Sequence, residues 1–345
     1  MERLASGVDM SKASFVGAVW VAGRTLDLGK FSNDANGFQA LQQALQQQQV
    51  EQGASEIHLV VEPTGGYELA LVAFAHEQDW RVSLPNPKQV REWAKGIGKR
   101  AKTDKVDAQL LAQFAAQRQP PAQPPLAAEV SELDNLLARR SDLETMLRQE
   151  KNRLGELRNR PGVPPSVLAN LEQMIHALEN ALQDIEQARP EGTRQHLQHH
   201  AYLAEHRRRL LTLPGIGPKT VLPLLVLLLR WHTLTEGQGS DKGLTALVGL
   251  DPGRPLGPYQ SGSSVYQRPT ISKMGDGEIR RLLYMGALGA LRGQNPLHAF
   301  YDRLVGRGKA KKLALVAASR KLLTWSWAIF ASGTVWNPAL FAASV

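Results

Sequence analysis

A proline-rich segment at residues 119–125, QPPAQPP, divides the chain into two parts of different character. Its four prolines cannot sustain a helix, because each lacks a backbone N–H donor. We therefore predict a stiff, extended linker. Before it, short β-branched segments at 13–21 and 57–61 alternate with helix-like segments at 36–49 and 69–78, a pattern typical of an α/β domain. Beyond it the patterns are helical.

The first helical region after the linker carries apolar residues at alternating spacings of three and four. In its second arm these residues are Leu168, Leu171, Ile175, Leu178, Leu182 and Ile185. In its first arm they are Leu133, Leu136, Leu143, Leu147, Leu154 and Leu157, with Arg140 and Glu150 at two further seam positions. Such a seam is typical of a coiled coil, and RPGVPP at 160–165 separates the arms. We predict a helical hairpin that forms a dimer or tetramer; a solvated hairpin folded back on its own domain is the alternative.

The distribution of charge indicates the class of partner. The 345 residues carry a net charge of +9, and 19 basic but only 7 acidic residues lie between Ala201 and Lys321. A local excess of this kind favours a polyanionic partner, either nucleic acid or an anionic membrane surface. The longest apolar run, 221–229, contains Pro223 and is far shorter than the ~20 residues that span a bilayer. We expect a soluble cytoplasmic protein, and the lack of cysteine excludes thiol catalysis.

Four acidic residues from three segments are candidate metal ligands. Asp9 follows a small apolar segment and Glu62 ends the IHLVV segment, whereas Asp104 and Asp107 are three residues apart and share a helix face. Taken singly, each is more commonly a turn or cap residue. Together they provide the oxygen ligands that Mg²⁺ prefers in phosphoryl transfer. Beside a basic segment they resemble an RNase H or RuvC-like nuclease core; that segment contains Lys88, Arg91, Lys95, Lys99, Arg100, Lys102 and Lys105.

Seven motifs in a fixed order resemble a specific family, the DEDD insertion-sequence transposases and related Piv DNA invertases. They are GVDMSK, VVEPTGGY, KTDKVDAQLLA, LPGIGPKT, GLDP, SGSS and SKMGDGEIRRLLYMGA, between residues 7 and 287. The resemblance implies a bridge-RNA-guided serine recombinase in which a structured guide RNA pairs with donor and target DNA. It further implies that Asp9, Glu62, Asp104 and Asp107 bind the metal and that Ser261 is the nucleophile.

The C-terminal part supplies groups suited to DNA cleavage. A serine attacks a phosphate only if its hydroxyl is exposed and cations stabilise the phosphorane. Ser261 begins SGSS, although such tetrapeptides are usually turns, and Ser263 or Ser264 could replace it. LPGIGPKT is typical of a helix-hairpin-helix turn, used for phosphate contact or for helix packing, and an ordinary Gly/Pro turn between helices is the alternative. The predicted nucleic-acid contacts are Lys99, Arg100, Lys102, Lys105, Arg254, Arg268, Lys273, Arg280 and Arg281.

We therefore predict an α/β plus all-α protein in three parts. They are a RuvC-like domain (1–118), a linker and coiled-coil hairpin (119–200), and a mainly helical transposase domain (201–345). The predicted activity is RNA-guided recombination of DNA through Ser261, with Mg²⁺ on the acidic tetrad, in a nucleoid-associated bacterial protein. Two alternatives remain open: a metal-dependent junction nuclease without a covalent intermediate, and a non-enzymatic DNA-architectural protein. Trp325 and Trp327 are predicted to pack in the core.

Overall fold

The computed structural model describes residues 3–98, 104–125, 127–199, 201–252 and 270–339, without the side chains of 104 and 186–199. The chain forms two compact units, Met1–Pro125 and Leu126–Val345. The division lies at the end of the proline-rich segment. No described helix combines the length and apolarity needed to cross a bilayer.

The first unit is built on a five-stranded mixed sheet. Its strands are β1 (Arg3–Met10), β2 (Ser14–Val21), β3 (Arg24–Ser32), β4 (Glu56–Val61) and β5 (Arg81–Ser83). Their order is β3-β2-β1-β4-β5. The first three strands pair antiparallel, whereas β4 is parallel to both β1 and β5. The strands predicted at 13–21 and 57–61 are confirmed as β2 and β4.

Four helices cover the sheet: α1 (Ala35–Gln52), α2 (Leu69–Glu77), α3 (Pro87–Gly96) and α4 (Asp104–Arg118). One face buries an apolar core with α1 and α2 that includes Val8, Phe15, Leu41, Leu59, Val61 and Leu71. The other face packs against α4 through Ala5, Val60, Leu111 and Phe114. Helices predicted at 36–49 and 69–78 correspond to α1 and α2, and the α/β prediction for this part is confirmed.

Helix α4 crosses β1 at backbone contact distance. A Cβ atom on Gly7 would lie 2.2 Å from the backbone nitrogen of Ala112 and 2.4 Å from the carbonyl oxygen of Ala108. Only glycine allows so close an approach. Ala5 clusters with Leu111, Phe114 and Ala115, whereas Gly7 meets the backbone of Ala108, Leu111 and Ala112, so α4 runs antiparallel to β1. The first turn of α4 therefore lies toward the end of β1 that carries Asp9.

The proline-rich segment lies against the sheet edge. The backbone N–H of Gln123 donates to the carbonyl oxygen of Val82 at 2.7 Å, and the Ser83 hydroxyl donates to that of Pro120 at 3.1 Å. These bonds hold the extended segment along β5. A covered edge strand cannot pair with another chain, so the linker also protects the sheet.

The second unit is helical in its described part. Its helices are α5 (Ala128–Arg158), α6 (Pro165–His199), α7 (Ala201–Leu210), α8 (Pro218–Leu234), α9 (Asp241–Val248), α10 (Gly277–Ala290), α11 (Pro296–Gly306) and α12 (Lys311–Ser332). Much of α12 is buried in the core that α8 and α10 share. Trp325 and Trp327 are 4% and 7% exposed, so their predicted core position is confirmed.

Helices α5 and α6 pack side by side, and the turn between them lies at 159–164. Two ion pairs join the arms, Lys151 with Glu179 and Arg158 with Glu172, each at 2.7 Å. Arg140, at a seam position, is buried and bonds the Glu144 carboxylate at 2.8 Å. Buried seam residues are Leu143, Leu154, Ile175 and Leu178, while the other apolar seam residues are half-buried. The helical hairpin is thus observed, and its use as a coiled coil between subunits stays a prediction.

Candidate active site

Asp9 and Glu62 lie at the carboxyl ends of neighbouring parallel strands. Val8 of β1 is in register with Val61 of β4, and the backbone N–H of Glu62 donates to the carbonyl oxygen of Val8 at 3.4 Å. Successive residues of a strand alternate between the two faces. Val8 and Met10 belong to the core on the α1 side, so Asp9 shares the α4 face with Gly7.

Glu62 and the first turn of α4 lie on this same face. Val60 packs in the core beneath α4, and Glu62 is two residues further along the same strand direction. Asp107 is half-buried in the first turn of α4, which Asp104 begins. Three sequence segments therefore meet at one end of the sheet. Among the described side chains, no three histidine, aspartate or glutamate residues are close enough together to hold a metal ion.

Two cations neutralise carboxylates at this end of the unit. The Arg91 guanidinium lies 3.6 Å from Glu62 Oε1, and Lys105 Nζ lies 2.7 Å from Asp27 Oδ2. The hydrogen bond from Lys105 lowers the pKa of Asp27 against the opposing effect of burial. Asp27 lies on β3 opposite Ala18 of β2, and Ala18 packs on α4. The ion pair of Asp27 with Lys105 therefore attaches the first turn of α4 to β3. Sequence reasoning missed it, because nothing local distinguishes an acid in the middle of a hairpin.

Glu68 organises the loop that follows Glu62. Its carboxylate accepts hydrogen bonds from the Thr64 backbone N–H at 3.1 Å, the Thr64 hydroxyl at 2.9 Å and the Gly66 N–H at 2.9 Å. Burial opposes ionisation of this carboxyl, but the hydrogen bonds outweigh it and lower the Glu68 pKa. Sequence reasoning missed Glu68 too. The sequence feature that could have identified Glu68 is an acidic residue two positions after the Thr64-Gly65-Gly66 turn.

The predicted nucleophile lies outside the described residues. Ser261, with Ser263, Ser264, Arg254 and Arg268, falls within 253–269, and Lys99, Arg100 and Lys102 fall within 99–103. The residues that flank 253–269 are held together. Pro252 pairs antiparallel with Ile271, and the Ser272 hydroxyl donates to Asp251 Oδ1. The GLDP and SKMG motifs therefore lie side by side in the structure.

Known proteins match both units. A family model for DEDD transposases of IS110 type, described as "Transposase", matches residues 6–157. A second, described as "Transposase IS116/IS110/IS902 family", matches residues 207–302. The pilin gene-inverting proteins of Moraxella bovis and Moraxella lacunata are 32% and 31% identical to the chain over 335 residues, which cover 95% of this chain and 96% of each relative. The chain belongs to the IS110 transposase family. It is a DNA recombination enzyme, and the resemblance inferred from its motifs is confirmed.

Three predicted nucleic-acid contacts of the transposase lie in described parts of its second unit. Arg280 Nη1 donates to the carbonyl oxygen of Val248 at 2.8 Å, which joins α10 to the end of α9. Arg281 forms a two-bonded ion pair with Glu278. Lys273 is exposed, and its backbone N–H donates to the Gly249 carbonyl at 3.1 Å. Their contact with DNA or RNA stays a prediction.

The LPGIG turn of the transposase packs between helices. Gly215 has φ +98°, and a Cβ there would lie 2.6 Å from the carbonyl oxygen of Gly286 on α10. The helix-packing role considered for this motif is therefore observed at Gly215. Gly217, the N-cap of α8, has open space where a Cβ would stand. A phosphate contact at Gly217 stays a prediction.

Proposed function

We propose that this transposase cuts and rejoins DNA through Ser261, assisted by Mg²⁺ on Asp9, Glu62, Asp104 and Asp107 in a RuvC-like domain. The observation that carries the proposal is the meeting of β1, β4 and the first turn of α4 at one end of the sheet. The structure thus brings acids from three distant segments to the same end of the sheet. A phosphoryl-transfer site requires it.

The donor set fits a hard divalent cation, because all of its groups are carboxylate oxygens. Asp9 and Glu62 are held by strand backbone, while the contact of α4 with Gly7 sets the distance of Asp107 from the sheet. When bound, Mg²⁺ would supply Lewis-acid stabilisation of phosphate oxygens. Before the metal binds, the Arg91 guanidinium lowers the negative charge next to Glu62.

The covalent step uses the Ser261 hydroxyl. The hydroxyl gives up its proton as its oxygen bonds to phosphorus, the bond between phosphorus and the deoxyribose O3′ breaks, and the released O3′ takes up a proton to form a 3′-hydroxyl. We favour a 5′-phosphoserine linkage. Attack by a sugar hydroxyl of the exchanged strand reverses the step, so the energy of the phosphodiester is conserved for religation. The name of the Moraxella relatives, pilin gene-inverting protein, favours such exchange between two DNA sites.

A denaturing gel that detects a covalent protein–DNA adduct tests this proposal. Wild-type protein should form the adduct. Ser261→Ala should abolish both adduct and recombination but retain DNA binding, whereas the matched variants Ser263→Ala and Ser264→Ala should behave as wild type. Asn or Gln substitution of each acid should weaken metal binding and cleavage together. Metal-dependent cleavage without an adduct would instead identify a junction nuclease, and binding without cleavage an architectural protein.

The proposed assembly contains donor and target DNA, a guide RNA and more than one subunit. Base pairing with the guide would supply the sequence specificity, while the protein contacts backbone and shape. The hairpin of α5 and α6 would join the subunits through its half-buried seam. Leu168, Leu171 and Leu182 retain apolar surface that a second hairpin could cover.

A further inference from the structure

Helix α3 is an amphipathic helix of fixed orientation beside the acids. Val90 and Ala94 are buried, and Trp93 packs edge-on against Phe114 of α4 at 5.2 Å between ring centroids. Its start is defined by the Asn86 side chain, which accepts from the Lys88 backbone N–H at 2.9 Å. Because the inner face is anchored, the outward face is presented as a rigid surface.

That outward face carries a stripe of cations. Lys88, Arg91 and Lys95 are all exposed and lie within a sector of about 60° at 100° per residue. At 1.5 Å per residue the stripe is ~10 Å long, which matches about three phosphate steps of a DNA strand at 3.4 Å each. Glu92, on the flank of the stripe, is the one acidic residue of the helix and is also exposed.

The stripe adjoins the acidic site at Arg91. The Arg91 guanidinium is 61% exposed and lies 3.6 Å from Glu62 Oε1. Within the described part of the chain, Lys88 and Lys95 have no acidic partner. The stripe therefore carries three positive charges beside one exposed acid, Glu92, and its middle cation lies next to Glu62. A merely solvated face would need no such alignment with the site.

We propose that the outward face of α3, formed by Lys88, Arg91 and Lys95, binds the phosphate backbone of a DNA strand and leads it to the acidic site. In the DNA complex, Arg91 exchanges its contact with Glu62 for a phosphate, which frees Glu62 for the metal. This inference rests on the proposed role of Glu62 in the acidic site.

The test compares two double variants of the full chain with the same change in net charge. Lys88→Gln/Lys95→Gln removes the two stripe lysines. Arg24→Gln/Arg118→Gln removes two exposed arginines at the opposite end of the same sheet, at the start of β3 and the end of α4. Binding of a short mixed-sequence DNA duplex is measured over a series of salt concentrations. Neither variant should change the thermal unfolding midpoint, since all four side chains are exposed.

The lysine variant should lose two phosphate contacts. Its slope of log binding constant against log salt concentration should therefore flatten by about 1.8, at ~0.9 per contact, while the arginine variant keeps the wild-type slope. Equal flattening in both variants, or none in the lysine variant, would overturn the proposal. An RNA duplex of the same sequence is measured alongside, and a loss confined to the RNA would overturn the proposal too. Asp9→Asn, run in parallel, should lose cleavage but keep the wild-type slope; normal cleavage by Asp9→Asn would refute the acidic site, independently of α3.

Discussion

At the residue scale, the loop after Glu62 depends on one buried carboxylate. Glu68 is 5% exposed and accepts three hydrogen bonds from Thr64 and Gly66. Charge-assisted bonds of this kind are stronger than neutral ones, so the loop holds its shape while Glu68 is ionised. The shape of residues 64–66, which follow Glu62 in the chain, therefore depends on the charge of Glu68.

Glu68→Gln should destabilise the protein by about 1–2 kcal/mol near neutral pH, because the amide accepts the same bonds less strongly. The Glu68 pKa is lower in the folded state than in the unfolded chain. Its stabilising effect is thus complete above the unfolded pKa and is lost as pH falls through the folded pKa. Urea unfolding across a pH series should show the difference between wild type and variant constant above about pH 5 and shrinking below it.

Glu77→Gln provides the matched control, since Glu77 is exposed on α2 in the same unit. It should leave the free energy of unfolding nearly unchanged at neutral pH. A Glu68→Gln variant as stable as Glu77→Gln at neutral pH would show that the loop does not need the carboxylate.

At the element scale, the packing of α4 on β1 sets the distance between Asp107 and the strand acids. At Gly7 the backbone of β1 meets the backbone of α4 at Ala108 and Ala112, whose small side chains allow this close approach. The ion pair of Lys105 with Asp27 attaches the same turn to β3 at 2.7 Å. Because both partners at Gly7 are backbone, no side-chain rearrangement can relieve a clash there.

Gly7→Ala should therefore destabilise the first unit by about 3 kcal/mol or more and abolish DNA cleavage, since α4 would have to move outward. Gly17→Ala on β2 is the matched control. A Cβ there meets the side chains of Leu41 at 3.2 Å and Phe31 at 3.3 Å, which can adjust. The checks are urea unfolding and the cleavage assay. If Gly7→Ala retained wild-type stability and cleavage, the close approach of α4 would not define the site.

At the scale of the whole molecule, the positive charge is uneven. The excess between Ala201 and Lys321 lies in the second unit, whereas the acidic site lies in the first. Local pairs such as Arg281 with Glu278 and Arg208 with Glu205 use acids that are already counted, so the net excess is unchanged. Exposed cations such as Lys311 and Lys312 remain for a nucleic-acid partner.

If a guide RNA is part of the assembly, purified transposase should contain RNA, and RNase treatment should reduce recombination to background. Adding the RNA back should restore the rate, and affinity for it should fall steeply with salt because phosphate contacts release counterions. A mock incubation without RNase is the control. Recombination at full rate after RNase, with no RNA in the preparation, would indicate a protein that reads bases directly.

Local patterns in the sequence were enough for the elements and the family. The β-branched segments predicted β2 and β4, the 3-4 repeat predicted the two long helices, and the ordered motifs indicated an IS110 transposase. Such features depend on residues close together in the chain. Ser261 was assigned from its motif alone, and it lies outside the described residues.

Tertiary structure alone decided which residues share the site. The alternation of β1 and β4 relative to α4 placed Asp9 and Glu62 on one face, and packing brought Arg91 next to Glu62. It also joined Asp27 to Lys105 in the first turn of α4, and Glu68 to the loop after Glu62. Strand register and helix docking join residues that are tens of positions apart. They are set by which side chains and backbone groups fit together across the core, and no local pattern carries that information.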